Sequence, residues 1–274
     1  MPLAAKPSIA DLDRAVARLE LQPDGDSFSS PSSLLRPVTV LGRPALLKVT
    51  NEPEELAGSR ALEKWDGNGA VRVLARDGNA VVLERAGRPL RSLVSDDGAA
   101  TRVLCAVARR LHGHTLWGLD EFPSLRRWFS SLFRDTHPRF DRVRAIADRL
   151  LDRSTSPILL HGDLHHDNVL DGAGRGWLAI DPKGIVGARE FDYCNIFTNW
   201  APRQAVEHFD SRLGIVAATA AIDRCDLLRW VASWSALSGI WHLEDGDEAR
   251  AAFPHTIMEL ALARLRAHGG PRSD

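Results

Sequence analysis

Residues 159–181 read LLHGDLHHDNVLDGAGRGWLAID, and the order of apolar runs and turn formers in this stretch decides how the chain is organised. Apolar runs at Ile158 to Leu160 and Trp177 to Ile180 each deliver polar residues at their ends. Between them Val169 and Leu170 lead into Asp171-Gly172-Ala173-Gly174, a turn cluster, so Val169-Leu170 and Trp177 to Ile180 are expected to pair as a small hairpin. Such a hairpin sets the loop His161 to Asn168 beside Asp181.

That spacing has a chemical meaning. Phosphoryl transfer from ATP requires one carboxylate to orient and deprotonate the acceptor hydroxyl, and oxygen ligands for the Mg²⁺ that neutralises the transferring phosphates. Protein kinases supply these groups from H-R-D-x-x-x-x-N and, after a short hairpin, from the Asp of D-F-G. Here His161-Gly162-Asp163 is followed at the same spacing by Asn168, and Ile180-Asp181-Pro182-Lys183-Gly184 stands in the place of D-F-G. Gly replaces Arg, and Pro-Lys replaces Phe. With those two departures, HGDLHHDN and WLAIDPKG resemble the aminoglycoside phosphotransferases, and within them the streptomycin 6-phosphotransferase and hydroxyurea kinase branch.

The resemblance runs over most of the chain, through SFSS, ELAG, GAVRVLAR and VVLERAG. It implies an α+β, protein-kinase-like two-lobed fold. A small N-terminal lobe with an antiparallel sheet, residues 1–86, would bind the nucleotide. A mostly helical lobe, residues 87–274, would carry catalysis and the substrate. Asp163 is then the base, Asn168 and Asp181 hold Mg²⁺, and ATP is the donor. The implied acceptor is a hydroxyl of a cationic aminoglycoside, with the streptomycin 6-hydroxyl first; hydroxyurea or a cellular metabolite is the alternative.

The same loop admits other readings. His161, His165 and His166 with Asp163 and Asp167 are ligands of the kind that hold Zn or Mn in a metal-dependent phosphohydrolase. No second His/Asp cluster in the sequence completes such a site. His161 is better suited to fixing the loop backbone by hydrogen bonding, and His165 and His166 are given no catalytic role. A nucleotide-binding regulatory module is disfavoured by the intact set Lys48, Asp163, Asn168 and Asp181.

Length and composition set bounds. A chain of 274 residues fits one two-lobed domain or two small ones. A formal net charge of -1 leaves no broad basic field, so nucleic acid is not an expected partner. Three widely spaced cysteines, Cys105, Cys194 and Cys225, fit a reduced cytoplasmic protein without a disulfide framework. MPLAAKPSIADLDRAV lacks the apolar core of a secretory leader, and Leu227 to Trp241, broken by Arg229 and serines, reads as a buried helix rather than a membrane span. The expected form is a cytoplasmic monomer without membrane contact.

Ahead of the central stretch, Ser8 with Asp11 marks a helix start, and Ile9, Leu12, Val16 and Leu19 recur at helical spacing. Strands are expected at Leu34 to Val40 and Ala45 to Thr50, around the turn Leu41-Gly42-Arg43-Pro44. The hydroxyl-rich entrance, with Ser29 and Ser30, is a flexible linker or a cover for nucleotide phosphates; the resemblance favours the cover. Lys48 lies within an apolar strand, where its ammonium needs a partner unless it turns to solvent. In a kinase the partners are the phosphates and a Glu from the next helix. Glu55 best matches that Glu, with Glu52 and Glu54 still open, on a helix from about Asn51–Pro53 to Trp65. A second hairpin, Val71 to Arg76 with Ala80 to Glu84, completes the sheet. The resemblance makes Ala80 to Gly87 a hinge whose backbone at Glu84 and Ala86 meets adenine.

The remainder reads as helices. Asp97 is expected to cap one reaching Leu111, Pro123 to open one through Phe133, and Val143 to Leu151 to form a third. The arginines between Arg126 and Arg144 form a solvated face. Beyond Gly184, residues 188–200 read as helix with Glu190 and Asp192 near its start. The spacing of Trp230, Trp234, Leu237 and Trp241 is a packing stripe, with a substrate wall as the alternative. His255 to Ala267 forms the last helix. The resemblance implies that acidic residues of this third bind the cationic substrate, which nominates Glu190, Asp192, Trp241, Glu244 and Asp245.

Overall fold

Ser8 opens the first helix with a reciprocal cap. Its hydroxyl accepts from the Asp11 N–H while the Asp11 carboxylate accepts from the Ser8 N–H at 2.7 Å. Helix α1 (Ile9–Arg18) then buries Leu12 and Ala15. The structure, a computed structural model, describes residues 5–114, 117–153, 156–199 and 201–268.

Strands β1 (Gln22–Pro23), β2 (Phe28–Ser29), β3 (Ser33–Val40) and β4 (Arg43–Thr50) precede α2 (Pro53–Trp65), and β5 (Val73–Asp77) and β6 (Ala80–Glu84) follow it. Among the described residues they form one antiparallel sheet in the order β1-β3-β4-β6-β5, with β2 on β3. The turn between β3 and β4 is shorter than expected. Leu41 (φ 49°) and Gly42 (φ 75°) alone reverse the chain, as a two-residue hairpin loop with positive φ at both positions can. Arg43 and Pro44 therefore belong to β4.

Helix α2 starts with Pro53 at its first position, as that residue's fixed φ favours. Its Gly58 is required by contact. A Cβ there would stand 1.8 Å from the carbonyl oxygen of Pro182, so α2 rests directly on the Asp181 segment.

The helical part contains α3 (Leu90–Leu93), α4 (Asp97–His112), α5 (Leu125–Trp128), α6 (Ser130–Arg134) and α7 (Asp141–Asp152). The short strands β7 (Ile158–Leu160), β8 (Val169–Asp171), β9 (Trp177–Ala179) and β10 (Ile185–Gly187) come next, then α8 (Asn195–Thr198), α9 (Pro202–Glu207), α10 (Phe209–Ala220), α11 (Arg224–Glu244) and α12 (Glu248–His268). The expected hairpin is β8 with β9, and β7 pairs with β10. Three expectations need correction. Asp96, not Asp97, caps α4 by accepting from Ala99 N–H at 2.6 Å; Asp97 instead holds the fully buried Arg212. The helix after Pro123 is split into α5 and α6, with Ser124 as its cap. Residues 188–200 are a 3₁₀ turn, Arg189–Tyr193, and the single turn α8, because Phe191, Asp192 and Tyr193 are all drawn inward; Trp200 lies outside the described residues.

Two apolar cores result. One joins α1 to the sheet through Leu12, Val38, Leu47, Val49 and Val82. The larger takes Leu62, Trp65, Val81 and Leu83 together with α4, α7, α10 and α11, so α2 is packed into the helical part as well as lying over the sheet. Trp230, Trp234 and Leu237 are buried in it, with Phe191 edge-on to Trp230 and Trp234. Trp241 is the half-exposed end of that stripe. No described helix is long and apolar enough to cross a membrane.

Candidate active site

The loop after β7 is built around a glycine and a buried carboxylate. Gly162 has φ 80°, and a Cβ there would come within 2.7 Å of Ile185, so the Gly-for-Arg departure has a steric cause. Asp192, 2% exposed, accepts from the backbone N–H of His161 at 2.9 Å and of Gly162 at 2.7 Å, and meets His112 Nε2 at 2.8 Å. Burial works against its charge, but the His112 hydrogen bond and the other donors outweigh it and hold the carboxyl below its ordinary pKa. Asp192 thus stands behind the loop and not on a substrate surface, which corrects its assignment as a substrate ligand. His161 acts as expected: Nε2 reaches the Ile180 carbonyl at 2.9 Å, and Nδ1 accepts from the Asp163 N–H at 3.2 Å. Burial lowers its pKa and keeps the ring neutral, as this donor–acceptor pairing requires.

Asp163 is held at both carboxylate oxygens. Asn168 Nδ2 lies 3.3 Å from Oδ2 and 3.0 Å from the Asp163 carbonyl, while Asn195 Nδ2 lies 3.2 Å from Oδ1. Because the Asn168 amide nitrogen is committed to Asp163, its oxygen is the atom that could serve as a cation ligand. Asn195 was not among the expected site residues; a lone Asn two residues past a Tyr carries no sequence signal of its own. His165 Nε2 is 3.7 Å from Asp163, beyond hydrogen-bond range.

Opposite this loop, Lys48 on β4 forms ion pairs with both Glu55 of α2 and Asp181. Of the three glutamates considered, Glu55 is the one that reaches Lys48, and it also accepts from Ser32 Oγ at 3.0 Å. Burial opposes the Lys48 ammonium, yet Asp181 and Glu55 hold its pKa above the ordinary lysine value. Burial likewise opposes the Asp181 carboxylate, and Lys48 holds its pKa down. Asp181 sits at φ 59°, a left-handed conformation that costs a non-glycine residue energy and here aims its carboxylate across the cleft. The oxygen-only set of Asn168 and Asp181 suits a hard cation such as Mg²⁺. The imidazoles that a Zn or Mn cluster needs are elsewhere engaged: His161 on Ile180, and His166 within reach of the charges of Arg212 and Asp97.

Beside Lys48 and Asp181 lies a cavity of about 330 Å³. Leu35, Leu46, Val71 and Leu83 face Leu170 and Ile180 across it, and Glu84 to Ala86 close one side. This is a chiefly apolar slot with Lys48 and Asp181 in its lining. Glu84 N–H is committed to the Arg72 carbonyl at 2.9 Å, so it is not the donor available to a base. Ser30 lines the slot and Ser29 does not, because alternation along β2 turns Phe28 and Ser30 to the same side. Ser29 is therefore corrected to a solvent-facing residue.

A second cavity, about 680 Å³, opens against the other side of α2. Among its lining residues the carboxylates Glu52, Glu54, Asp120 and Glu121 outnumber the arginines Arg60 and Arg127, Arg60 pairs with Glu121, and Trp128 and Trp241 form an aromatic wall. A Cβ on Gly184 would meet the Ala57 carbonyl at 2.8 Å and the Phe122 ring at 3.2 Å, so this cavity abuts the Asp181 segment. Burial pushes the Glu54 pKa up, against the pull of Lys183. Trp241 lies in the wall, and Glu244 reaches the rim by accepting from Ser131 Oγ at 3.0 Å. Asp245 ends α11 in solvent, away from the lining. Glu190 lines a separate pocket with Arg153, Asp223 and Trp230, which contains none of Lys48, Asp163 or Asp181. Arg126 pairs with Asp148 and Asp152 as a solvated face would, but Arg127 turns into the cleft.

Comparison with known proteins follows the same lines. Residues 18–246 match the family described as aminoglycoside/hydroxyurea antibiotic resistance kinase. A streptomycin 3''-kinase of Klebsiella pneumoniae is 41% identical over 260 residues, covering 90% of this chain and 98% of that one. A streptomycin 6-kinase of Streptomyces glaucescens is 32% identical, covering 97% of this chain and 91% of that one. Among solved structures, a thermostable mutant of aminoglycoside phosphotransferase APH(4)-Ia, in ternary complex with AMP-PNP and hygromycin B, superposes with a TM-score of 0.66 at 16% identity, covering 94% of this chain and 99% of that one. Plasmodium vivax ethanolamine kinase superposes with a TM-score of 0.61 at 15% identity, covering 88% and 83%. At such identities the likeness is one of fold, and that fold is the two-lobed kinase-like one.

Proposed function

The chain belongs to the aminoglycoside/hydroxyurea antibiotic resistance kinase family, and on that premise we propose that it is an ATP- and Mg²⁺-dependent O-phosphotransferase acting on streptomycin. The observation that carries this is the meeting of Lys48 and Asp181 across the mouth of the apolar slot, with Asp163 on the adjoining loop. Adenine occupies the slot against Leu83 and Ile180, and Lys48, steadied by Glu55, clamps the phosphates. Asn168 and Asp181 would hold Mg²⁺, which would neutralise phosphate charge. The acceptor hydroxyl presents its oxygen to the terminal phosphorus while the Asp163 carboxylate takes its proton. The new P–O bond forms as the bond to the leaving ADP breaks. Holding both partners in line supplies most of the acceleration, because the transition state of phosphoryl transfer is loose.

The acidic cleft beside α2 suits the guanidinium groups of streptomycin, which Glu52 and Glu54 attract and Trp128 and Trp241 cover. The 3''-hydroxyl is the acceptor position supported by the relative at 41% identity. The 6-hydroxyl, expected from sequence, keeps the support of 6-kinases at 32% and 33%. Coupled ADP release with streptomycin and hydroxyurea, followed by NMR of the product, decides both questions. Release dependent on streptomycin and a phosphate ester at the 3''-oxygen are expected. Release dependent on hydroxyurea alone would overturn the acceptor assignment, and a phosphate ester at the 6-oxygen would overturn the position.

A further inference from the structure

Lys183 stands at the centre of the site without a part in the chemistry described so far. Its Nζ is 3.6 Å from Glu55 Oε1, while Lys48 holds Oε2 of the same carboxylate. One glutamate therefore steadies two ammonium groups. At 3.6 Å the Lys183 contact is an ion pair and not a hydrogen bond, and among the described residues Lys183 Nζ donates no hydrogen bond. An ammonium has three donors to satisfy, and this side chain is only 24% exposed.

Its placement indicates what those donors face. The carboxylates of Asp163, Asp181 and Glu54 lie close enough to act on its charge. Lys48 lines the apolar slot, whereas Lys183 does not and instead meets the other oxygen of Glu55, on the segment that adjoins the Asp163 loop. On the phosphotransferase reading, a triphosphate running out of the slot past Lys48 would bring its terminal group toward Lys183. The two departures from the protein-kinase motif are also one physical unit: a Cβ on Gly162 would come within 3.1 Å of Lys183 Cβ, so the glycine leaves room for the lysine stem. The Lys183 N–H further ties the segment to the loop by donating to the His161 carbonyl at 2.7 Å.

We propose that Lys183 is a second phosphate clamp, selective for the terminal phosphoryl group, with Glu55 holding both lysines in place. The inference rests on the phosphotransferase function above. As the acceptor oxygen bonds to phosphorus, the bond to the leaving diphosphate breaks and the proton passes to Asp163. The charge on the peripheral phosphoryl oxygens stays beside Lys183 throughout.

Equilibrium binding separates this role from a structural one. AMP-PNP and ADP are titrated calorimetrically, with Mg²⁺ and without acceptor, against the wild type, Lys183→Met, Lys183→Arg and Lys48→Met. A charged hydrogen bond predicts that Lys183→Met weakens AMP-PNP about tenfold to a hundredfold and leaves ADP unchanged. Lys183→Arg recovers part of the loss, and Lys48→Met weakens both nucleotides. With acceptor present, Lys183→Met lowers kcat and leaves the acceptor KM in place. Equal losses for the two nucleotides would mean that Lys183 merely props Glu55, and no loss for either would mean that it touches no phosphate; both overturn the proposal. Should Lys183→Met fail to fold, Lys183→Gln carries the same comparison. A wild type that binds neither nucleotide would overturn the phosphotransferase function itself, a separate outcome.

Discussion

Asp192 does its work from behind, receiving two backbone N–H groups of the catalytic loop and one imidazole in a site closed to water. Replacing it with leucine leaves those donors unpaired, at a cost of about 1–3 kcal/mol for a buried group. Asp192→Leu should therefore lower the urea midpoint and cut kcat together, whereas a surface substrate ligand would raise KM with stability untouched. Asp163→Asn makes the opposite pairing of effects. Turnover should vanish while nucleotide affinity stays near wild type, since the amide keeps the carboxylate's size and can still accept from one of Asn168 and Asn195, but takes up no proton. Retention of wild-type ADP release would remove Asp163 as the base. These residues differ in how visible they are in the sequence. Asp163, Asn168 and Asp181 sit at fixed spacings within one short segment, so local geometry suffices to group them. Asp192, Asn195 and Lys183 acquire their partners only when β10 folds back on β7, and nothing in their own neighbourhood announces it.

At the scale of elements, α2 is the joint of the site because its backbone touches the Asp181 segment. Gly58→Ala improves helix propensity by about 1 kcal/mol, but its methyl group collides with the Pro182 carbonyl, 1.8 Å from the ideal Cβ position. The collision should dominate, so the variant should be less stable than wild type in urea and should lose activity as Glu55 moves off Lys48. A more stable Gly58→Ala with full activity would contradict this contact. The last two helices carry a pH response. Burial first, and then the Arg139 guanidinium, lower the His255 pKa from 6.5 to about 4. The unfolded chain then takes up a proton below pH 6.5 that the folded chain refuses until about 4. Stability from this group is complete above 6.5 and is lost as pH falls toward 4, so urea midpoints should decline over that window and decline less in Arg139→Gln. Identical slopes in the two proteins would rule His255 out as the source. Strands β3 to β6, α1, α2 and the β8–β9 hairpin were legible because each carries its own cap, turn or apolar period, whereas β1, β2 and β10 are too short to show one. Residues 188–200 were not, since the inward pull on Phe191, Asp192 and Tyr193 comes from partners far along the chain.

Across the whole molecule, a net charge of -1 conceals an uneven distribution. Glu52, Glu54, Asp120 and Glu121 come from two distant segments and converge on one cleft, whereas the slot is lined chiefly by apolar side chains with Lys48 and Asp181 among them. Average composition cannot reveal such a division: Lys48, Asp163 and Asp181 were grouped by their motifs, whereas Glu190, Asp192 and Asp245, nominated from the same third of the chain as Trp241 and Glu244, do not line this cleft. On the proposed function the slot takes the nucleotide and the cleft the acceptor, and the two are to converge where Lys48 and Asp181 line the slot beside the Asp163 loop. Mass spectrometry of streptomycin incubated with Mg²⁺ and ATP tests that convergence most directly. The account predicts one added phosphate per molecule with the wild type and none with Asp163→Asn; unmodified drug from the wild type, or equal labelling by the two proteins, would contradict it.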